Sequence, residues 1–380
     1  MSLQALVLCS DDKVTRILRR VLSDLEIDVE LCTDADSAVR KLTRRRFEAV
    51  VVDCNHENIA AQVLRSVRSA PCNKRSIAVA IIDGQKAVPS PFALGAHFVL
   101  YKPISAERAR TNFRAARALM KCEHQRNMRV AVQIPVTLVS EPGARQQEAV
   151  TSDIGQGGMS VELPLRAQKS GPMSVKFTLP GTEHDIECAA EVAWEAGGQQ
   201  AGIRFVDLSP EQHDQLKSWL VQHCPEIEPN DPPATCKLTD LSPSGCYLEM
   251  AAPFPVDTRV ILSARTAKFE NRAEGVVRAM HPEIGMGIEF NRTTDPQRKL
   301  LERFTHDLGH SNGVHPQFVV EPEGMNDVDP VNSKPLTLEE IEDPLLGLFR
   351  RTTELTVEAF RSELRMQRNP QHDPAETISA

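Results

Sequence analysis

Apolar residues follow two different rhythms along this chain of 380 residues. Up to about residue 121 they come in short unbroken runs: Ala5–Leu8, the EAVVV segment Glu48–Val52, Ile77–Ile82 and Phe98–Tyr101. Strands buried on both faces read this way. Between them lie segments of helix length, one of which puts Val14, Ile17, Leu18, Val21 and Leu22 on a single helical face. Strands alternating with helices predict an α/β doubly wound parallel sheet over residues 1–121. Ser105 to about Gln125 predicts one long helix, with a narrow apolar set (Phe113, Ala116, Met120) among Arg108, Arg110, Arg114 and Arg117. Such a helix is expected to run out of the first domain as a semi-rigid spacer.

From Val130 the rhythm becomes short and alternating: Val130–Ile134, Val136–Val139, Met159–Leu163, Val175–Leu179 and Cys188–Trp194, with turns at Glu141-Pro142-Gly143 and Pro180-Gly181. Short strands with such turns predict a small all-β barrel, here over 122–224. A helix closes it. Ser209 caps that helix, Pro210 suits its first turn, Gln212 completes a capping box, and Leu216, Trp219 and Leu220 form a plug. Trp194 and Trp219 are both expected in the core.

The pattern then recurs. Asp153-Ile-Gly-Gln-Gly-Gly158 and Asp240-Leu-Ser-Pro-Ser-Gly245 are the same turn, and Gly202-Ile-Arg-Phe205 answers to Gly287-Ile-Glu-Phe290. From the aspartate to the proline of the closing helix is 57 residues in one copy (153 to 210) and 56 in the other (240 to 296). A fixed spacing marks one supersecondary unit used twice. The second barrel is placed at 225–310, after a linker at Pro225–Pro233, and closes with Asp295, Pro296, Leu300, Leu301 and Phe304. Residues 311–380 are polar and acidic, and Pro-rich as far as Pro335, which predicts a disordered acidic tail. It carries one amphipathic helix at about 344–367, started by Asp343-Pro344, with Phe349, Val357, Phe360 and Leu364 on one face.

Composition narrows the function. The formal net charge is −8, and residues 311–380 account for −7 of it with 13 acidic and 6 basic side chains. The rest of the chain therefore has no basic excess, which argues against nucleic-acid binding. No stretch of about 18 apolar residues exists to span a membrane. Met1–Leu8 lacks the charged start of a signal peptide. The nine cysteines form no CxxC pair, and His223, Cys224, Cys236 and Cys246 lack zinc-site spacing, so a reduced, cytoplasmic protein is expected. HExxH, GxSxG and GxxxxGK[ST] are absent, and no nucleophile-base set stands out, so no enzyme is expected.

Residues 1–121 resemble the receiver domain of response regulators. Asp53 ends the third strand as a phosphoacceptor-like aspartate, Lys102-Pro103 ends the fifth, and Asp11 takes the second place of the acidic pair. Three positions depart from that pattern. Ser10 replaces the first acid, Asp83 stands where a Thr or Ser belongs, and Val99 replaces an aromatic residue. Magnesium wants several hard oxygen ligands, and a carboxylate beside an incoming phosphate repels it. A receiver fold kept as scaffold or dimer module, without Mg2+, is the expectation.

Residues 122–224 and about 234–308 resemble PilZ domains, many of which bind cyclic di-GMP through RxxxR followed by D/N-x-S-x-x-G. Guanidinium forks suit both phosphates and guanine edges, and the small turn residues admit close approach. The first copy offers Arg126, Arg129, Asp153, Gly155 and Gly158, with the arginines three apart, Gln125 in the expected first place and Gly155 in place of serine. The second keeps Asp240, Ser242 and Gly245 but has no Lys or Arg between Lys217 and Lys237. The resemblance implies a bacterial signalling effector that senses cyclic di-GMP through the first copy and relays it by domain reorientation. The alternative is a scaffold that binds no nucleotide and acts on an unknown protein partner. The receiver and the tail helix are the surfaces open to a homodimer.

Overall fold

The computed structural model describes residues 3–70, 72–84, 91–126, 128–139, 146–162, 173–196, 200–224, 230–266, 270–291, 298–299, 301–304, 316–325, 343–352 and 355–368. The chain divides into two units, one spanning residues 124–229 and the other joining residues 2–123 to 230–380.

In the second of these, five parallel strands take the order β2-β1-β3-β4-β5: β1 Leu3–Leu8, β2 Ile27–Cys32, β3 Ala49–Asp53, β4 Ile77–Asp83 and β5 Phe98–Lys102. Every residue of β3 is buried, as its unbroken apolar run requires. Helices α1 (Asp12–Asp24) and α4 (Ala106–Arg126) cover one face through Val14, Leu18, Phe113 and Met120. Helices α2 (Ala35–Arg44) and α3 (Glu57–Ser69) cover the other through Leu42, Val63 and Leu64. Asn73, wholly buried, ties the α2–β3 connection down by donating to Leu42 O and Arg45 O and accepting from Phe47 N.

Helix-length sequence separates β4 from β5, yet the described part of that connection, residues 84 and 91–97, holds turns and no helix. Gly84, Pro91 and Gly95, the last at φ +93°, explain it, because each is a poor helix interior residue.

The spacer reading of α4 is also corrected. Ala109, Ala115, Leu119 and Cys122 are buried along with the expected apolar set, so the buried surface is far broader than a stripe. Cys122 Sγ donates to Pro322 O, Glu123 Oε1 accepts from Met325 N at 2.6 Å, and Asp231 pairs with both Arg117 and Lys121. Asp231 lies in the linker read at Pro225–Pro233, of which 225–229 is outside the described residues.

The barrel against α4 closes in the order β13-β14-β17-β16-β15-β18. Its strands are β13 Ala234–Leu241, β14 Gly245–Glu249, β15 Thr258–Arg265, β16 Glu270–His281, β17 Gly285–Phe290 and β18 Gln317–Met325. Strand β18 corrects the boundary at residue 310. It lies in the stretch expected to be disordered, but pairs Val320 with Ala234 on one side and runs from Thr258↔Met325 to Arg265↔Gln317 on the other. Without it β13 and β15 would both be open edges. Of the closing helix, Asp295, Pro296 and Leu300 lie outside the described residues, while Leu301 and Phe304 are buried in the barrel.

The single tail helix expected at 344–367 is two helices, α6 Pro344–Arg350 and α7 Val357–Arg368. Asp343 caps α6 through Leu345 N and Leu346 N. Thr352 Oγ1 bonds back to Phe349 O at 2.7 Å, which helps end it. The pair has its own buried cluster with Tyr247 and Ala279 of the barrel.

The unit 124–229 is the first barrel. β6 Arg129–Ala131 and β7 Pro135–Val139 follow one another along β8 Gln147–Gly155, and β9 Gly158–Glu162, β10 Met173–Thr178, β11 Asp185–Ala196 and β12 Gln200–Asp207 complete the ring. Helix α5 Pro210–His223 has the expected capping box and seats Leu216, Trp219 and Leu220 in the core. Trp219 Nε1 donates to Pro180 O at 2.9 Å. The Glu141-Pro142-Gly143 turn falls outside the described residues.

Candidate functional site

Outward-facing residues of the first barrel line up across four strands. The registers Trp194↔Gly202, Gly202↔Ser160 and Ser160↔Asp153 put them in one row over β11, β12, β9 and β8. Arg129, in β6 opposite Gly155, reaches into the row: its Nη1 donates to Asp153 Oδ1 at 2.5 Å and to Ser160 Oγ at 3.2 Å. Arg204, one step along, donates to Glu191 at 2.6 Å. The row thus presents a guanidinium, a carboxylate, a hydroxyl and an indole on one exposed surface. Arg126 is the last residue of α4, three positions ahead of Arg129.

Gly155 has a structural cause. A Cβ there would lie 2.7 Å from Met128 O and 3.3 Å from Arg129 Cγ. The strand carrying Arg129 comes too close for the serine of the usual turn.

Trp194 is corrected from core to surface: it is 45% exposed. Strict alternation after the buried Cys188 and Ala190 would point it inward. A bulge between Val192 and Trp194 inserts one residue and turns it out. Its indole lies against Gly202, where any Cβ would strike the ring. Gly202→Val is expected to lift the indole off the strand, measured as greater acrylamide quenching of Trp194 emission in a Trp219→Phe background. Sequence reasoning missed Ser160, Trp194 and Gly202 as site residues. The Gly202-Ile203-Arg204-Phe205 repeat was the available signal, but register was needed to join it to Asp153.

The second barrel builds the same row from Ala279, Gly287, Tyr247 and Asp240, with a bulge again just before the first of them. Its turn is braced by its own side chains. Ser242 Oγ accepts from Gly245 N at 3.1 Å and from Ser244 N at 3.3 Å, and Asp240 Oδ2 accepts from Thr239 Oγ1 at 2.7 Å. Tyr247 is only 2% exposed, because Phe349 of α6 and Phe360 of α7 cover it.

In the parallel-sheet domain, Lys102 Nζ lies 2.9 and 2.8 Å from the two Asp53 oxygens. Asn55 Nδ2 and Cys9 Sγ also approach Asp53 Oδ2, at 3.3 and 3.4 Å. Asp11 Oδ1 caps α1 by accepting from Lys13 N and Val14 N, and these backbone N–H groups hold its carboxyl below the usual range. Burial pushes the Cys9 thiol up, and the Cys54 thiol up to about 11. Asp83 pairs in register with Lys102. Among the described residues, no group of three or more His, Cys, Asp or Glu could hold a metal ion, and no helix is long and apolar enough to cross a membrane.

Two segments match the family described as PilZ domain, residues 123–222 and 220–307. The two matched segments fall on the two barrels, and an α/β domain of receiver-like fold precedes them. Similar solved structures include the receiver domain of a sensor histidine kinase from Pseudomonas aeruginosa PAO1, at 20% identity, covering 28% of this chain and 90% of that one with a TM-score of 0.26. A chemotaxis response regulator of Vibrio cholerae is 19% identical, with coverage of 30% and 99% and a TM-score of 0.28. The PilZ domain of CeSA from a cellulose-synthesising bacterium is 21% identical, with coverage of 26% and 95% and a TM-score of 0.21. No curated relative matches the chain.

Proposed function

We propose that the first barrel binds cyclic di-GMP on the Arg129–Asp153–Ser160–Trp194 row, and that the protein is a non-catalytic effector of that messenger. The observation that carries the reading is the Arg129 guanidinium held between Asp153 and Ser160 on an exposed row. A guanidinium fork already oriented loses little freedom on meeting a phosphate or a guanine edge. The half-exposed indole offers a face for a base. Arg126 supplies the second cation. The PilZ family match supports a role tied to this messenger. The second copy is the poorer candidate. It lacks the arginine arm, Ser242 holds its own turn, and its row is covered.

Binding would engage Arg126 at the end of α4 and Arg129 at the start of β6. Most of that helix is locked between the parallel sheet and the second barrel by Asp231, Pro322 and Met325. The relay we propose therefore changes how the first barrel is held, while the receiver-like domain stays fixed on the second barrel. Isothermal titration of the full chain is expected to give one site per chain. Absence of heat with the messenger in excess overturns the reading.

The receiver-like domain serves in this proposal as a scaffold. Its donor set does not fit magnesium: Ser10 replaces one acid, Asp11 is engaged as a helix cap, and a thiol stands beside Asp53. Acetyl phosphate with magnesium is expected to leave Asp53 unlabelled by intact-mass analysis, and stoichiometric labelling would refute it.

A second reading, a scaffold without nucleotide, draws on the displaced arginine and on the fusion of receiver and second barrel through α4. Its partner would be a protein, and the titration separates the two.

A further inference from the structure

The two barrels share a row but fill it differently. In the first, Trp194 of the barrel itself lies on Gly202. In the second, the equivalent strand position is Ala279, too small to cover Gly287. The ring on that glycine is Phe349 of α6: a Cβ at Gly287 would meet Phe349 carbons at 2.5 to 2.7 Å, and its three nearest neighbours are all atoms of that ring. Leu346 completes the contact beside Gly245, the last residue of the repeated turn, at 3.2 Å from a Cβ placed there. An aromatic ring from a distant part of the sequence has taken the place that the first barrel gives to its own tryptophan.

We propose that the second barrel is a helix-binding module and that α6 is its built-in ligand, seated where the first barrel presents an open ligand row. The claim concerns the second barrel alone and stands whether or not the first binds a nucleotide. Two further observations support it. Helices of 7 and 12 residues are too short to persist alone in water, so the order of α6 and α7 comes from the surface they bury. The 17 residues between Met325 and Asp343 are polar and acidic in sequence, with two prolines, and join α6 covalently to the barrel it covers. The recognition chemistry is an amphipathic helix with a capped proline start and the pattern Leu345-Leu346-x-Leu348-Phe349. Tyr247 and Ala279 form the receiving surface.

A tethered ligand holds its site through an effective concentration in the millimolar range, so an added copy competes poorly until the tethered one is weakened. The test uses the full chain and a fluorescent peptide of residues 343–368. The chain carrying Leu346→Ser and Phe349→Ala keeps every barrel residue, and is expected to bind the peptide at least about 10-fold tighter than the unaltered chain. Adding Gly287→Val to that chain fills the ring's place, and is expected to abolish peptide binding. Equal affinity with and without Gly287→Val overturns the proposal, as does failure of the folded double variant to bind. A measurement on the unaltered protein guards against a variant that fails to fold. Amides of 345–350 must be protected from hydrogen exchange well beyond the free peptide, and exchange at the free-peptide rate overturns the proposal equally.

Discussion

Replacing Arg126 and Arg129 together with alanine is expected to weaken cyclic di-GMP binding by about 10²- to 10⁴-fold, with little loss of stability. Hydrogen bonds to charged groups contribute about 1.5–3 kcal/mol each, so two anchors amount to about 3–6 kcal/mol. The lower part of that range is favoured at Arg129, because its guanidinium must give up or share Asp153 and Ser160 when a ligand arrives. Stability should hardly move. The Arg129 and Asp153 side chains are 43% and 29% exposed, and an ion pair so placed contributes about 0–1 kcal/mol. Titration calorimetry gives the affinity and a thermal melt gives the stability. A folded double variant that binds as tightly as the parent removes the row from consideration and leaves the scaffold reading.

Much of this architecture was legible because burial writes itself into local pattern. Unbroken runs such as Ala49–Val52 announce strands covered on both faces, and the Asp153 and Asp240 turns announce the repeat. What stayed hidden depends on long-range pairing. Strand β18 looks like the rest of an acidic Pro-rich tail, and only its partners β13 and β15 make it a strand. The second side of α4 carries no strong apolar signal. The burial of Cys122 and Glu123 is set by a barrel whose first strand begins more than a hundred residues later. Trp194 shows the same limit at a single residue. The alternation Cys188, Ala190, Val192 was real, and one bulge reversed its meaning at the next step. The candidate site suffered most, since a row across four strands is a property of register. The motif residues Arg129 and Asp153 were visible in the sequence. Ser160 and Gly202 joined them only when the strands were paired.

Acid should loosen the second barrel and its helical cover through His281. Its ring is buried, with Tyr247 Oη 3.2 Å from Nδ1 and the Phe360 ring of α7 at 4.2 Å between centroids. Burial lowers its pKa from 6.5 to about 4, so the folded state keeps this imidazole neutral where the unfolded chain would protonate it. The unfolded state therefore binds more protons between pH 6.5 and 4. Stability is full above that window, falls by about 1.4 kcal/mol per pH unit within it, and levels off below, for a total of about 3 kcal/mol. His97, half-buried and lowered well below its ordinary value by desolvation and then by Arg68, pulls in the same direction, and carboxylates add their own slope. A comparison removes both. Urea melts of the parent and of His281→Gln, which leaves a polar partner for Tyr247, are expected to converge as pH falls from 7 to 4.5, the parent losing its advantage step by step. Equal slopes for the two proteins would mean that His281 takes up its proton in the fold as readily as in the unfolded chain, and that the cover formed by α7 does not exclude water from it.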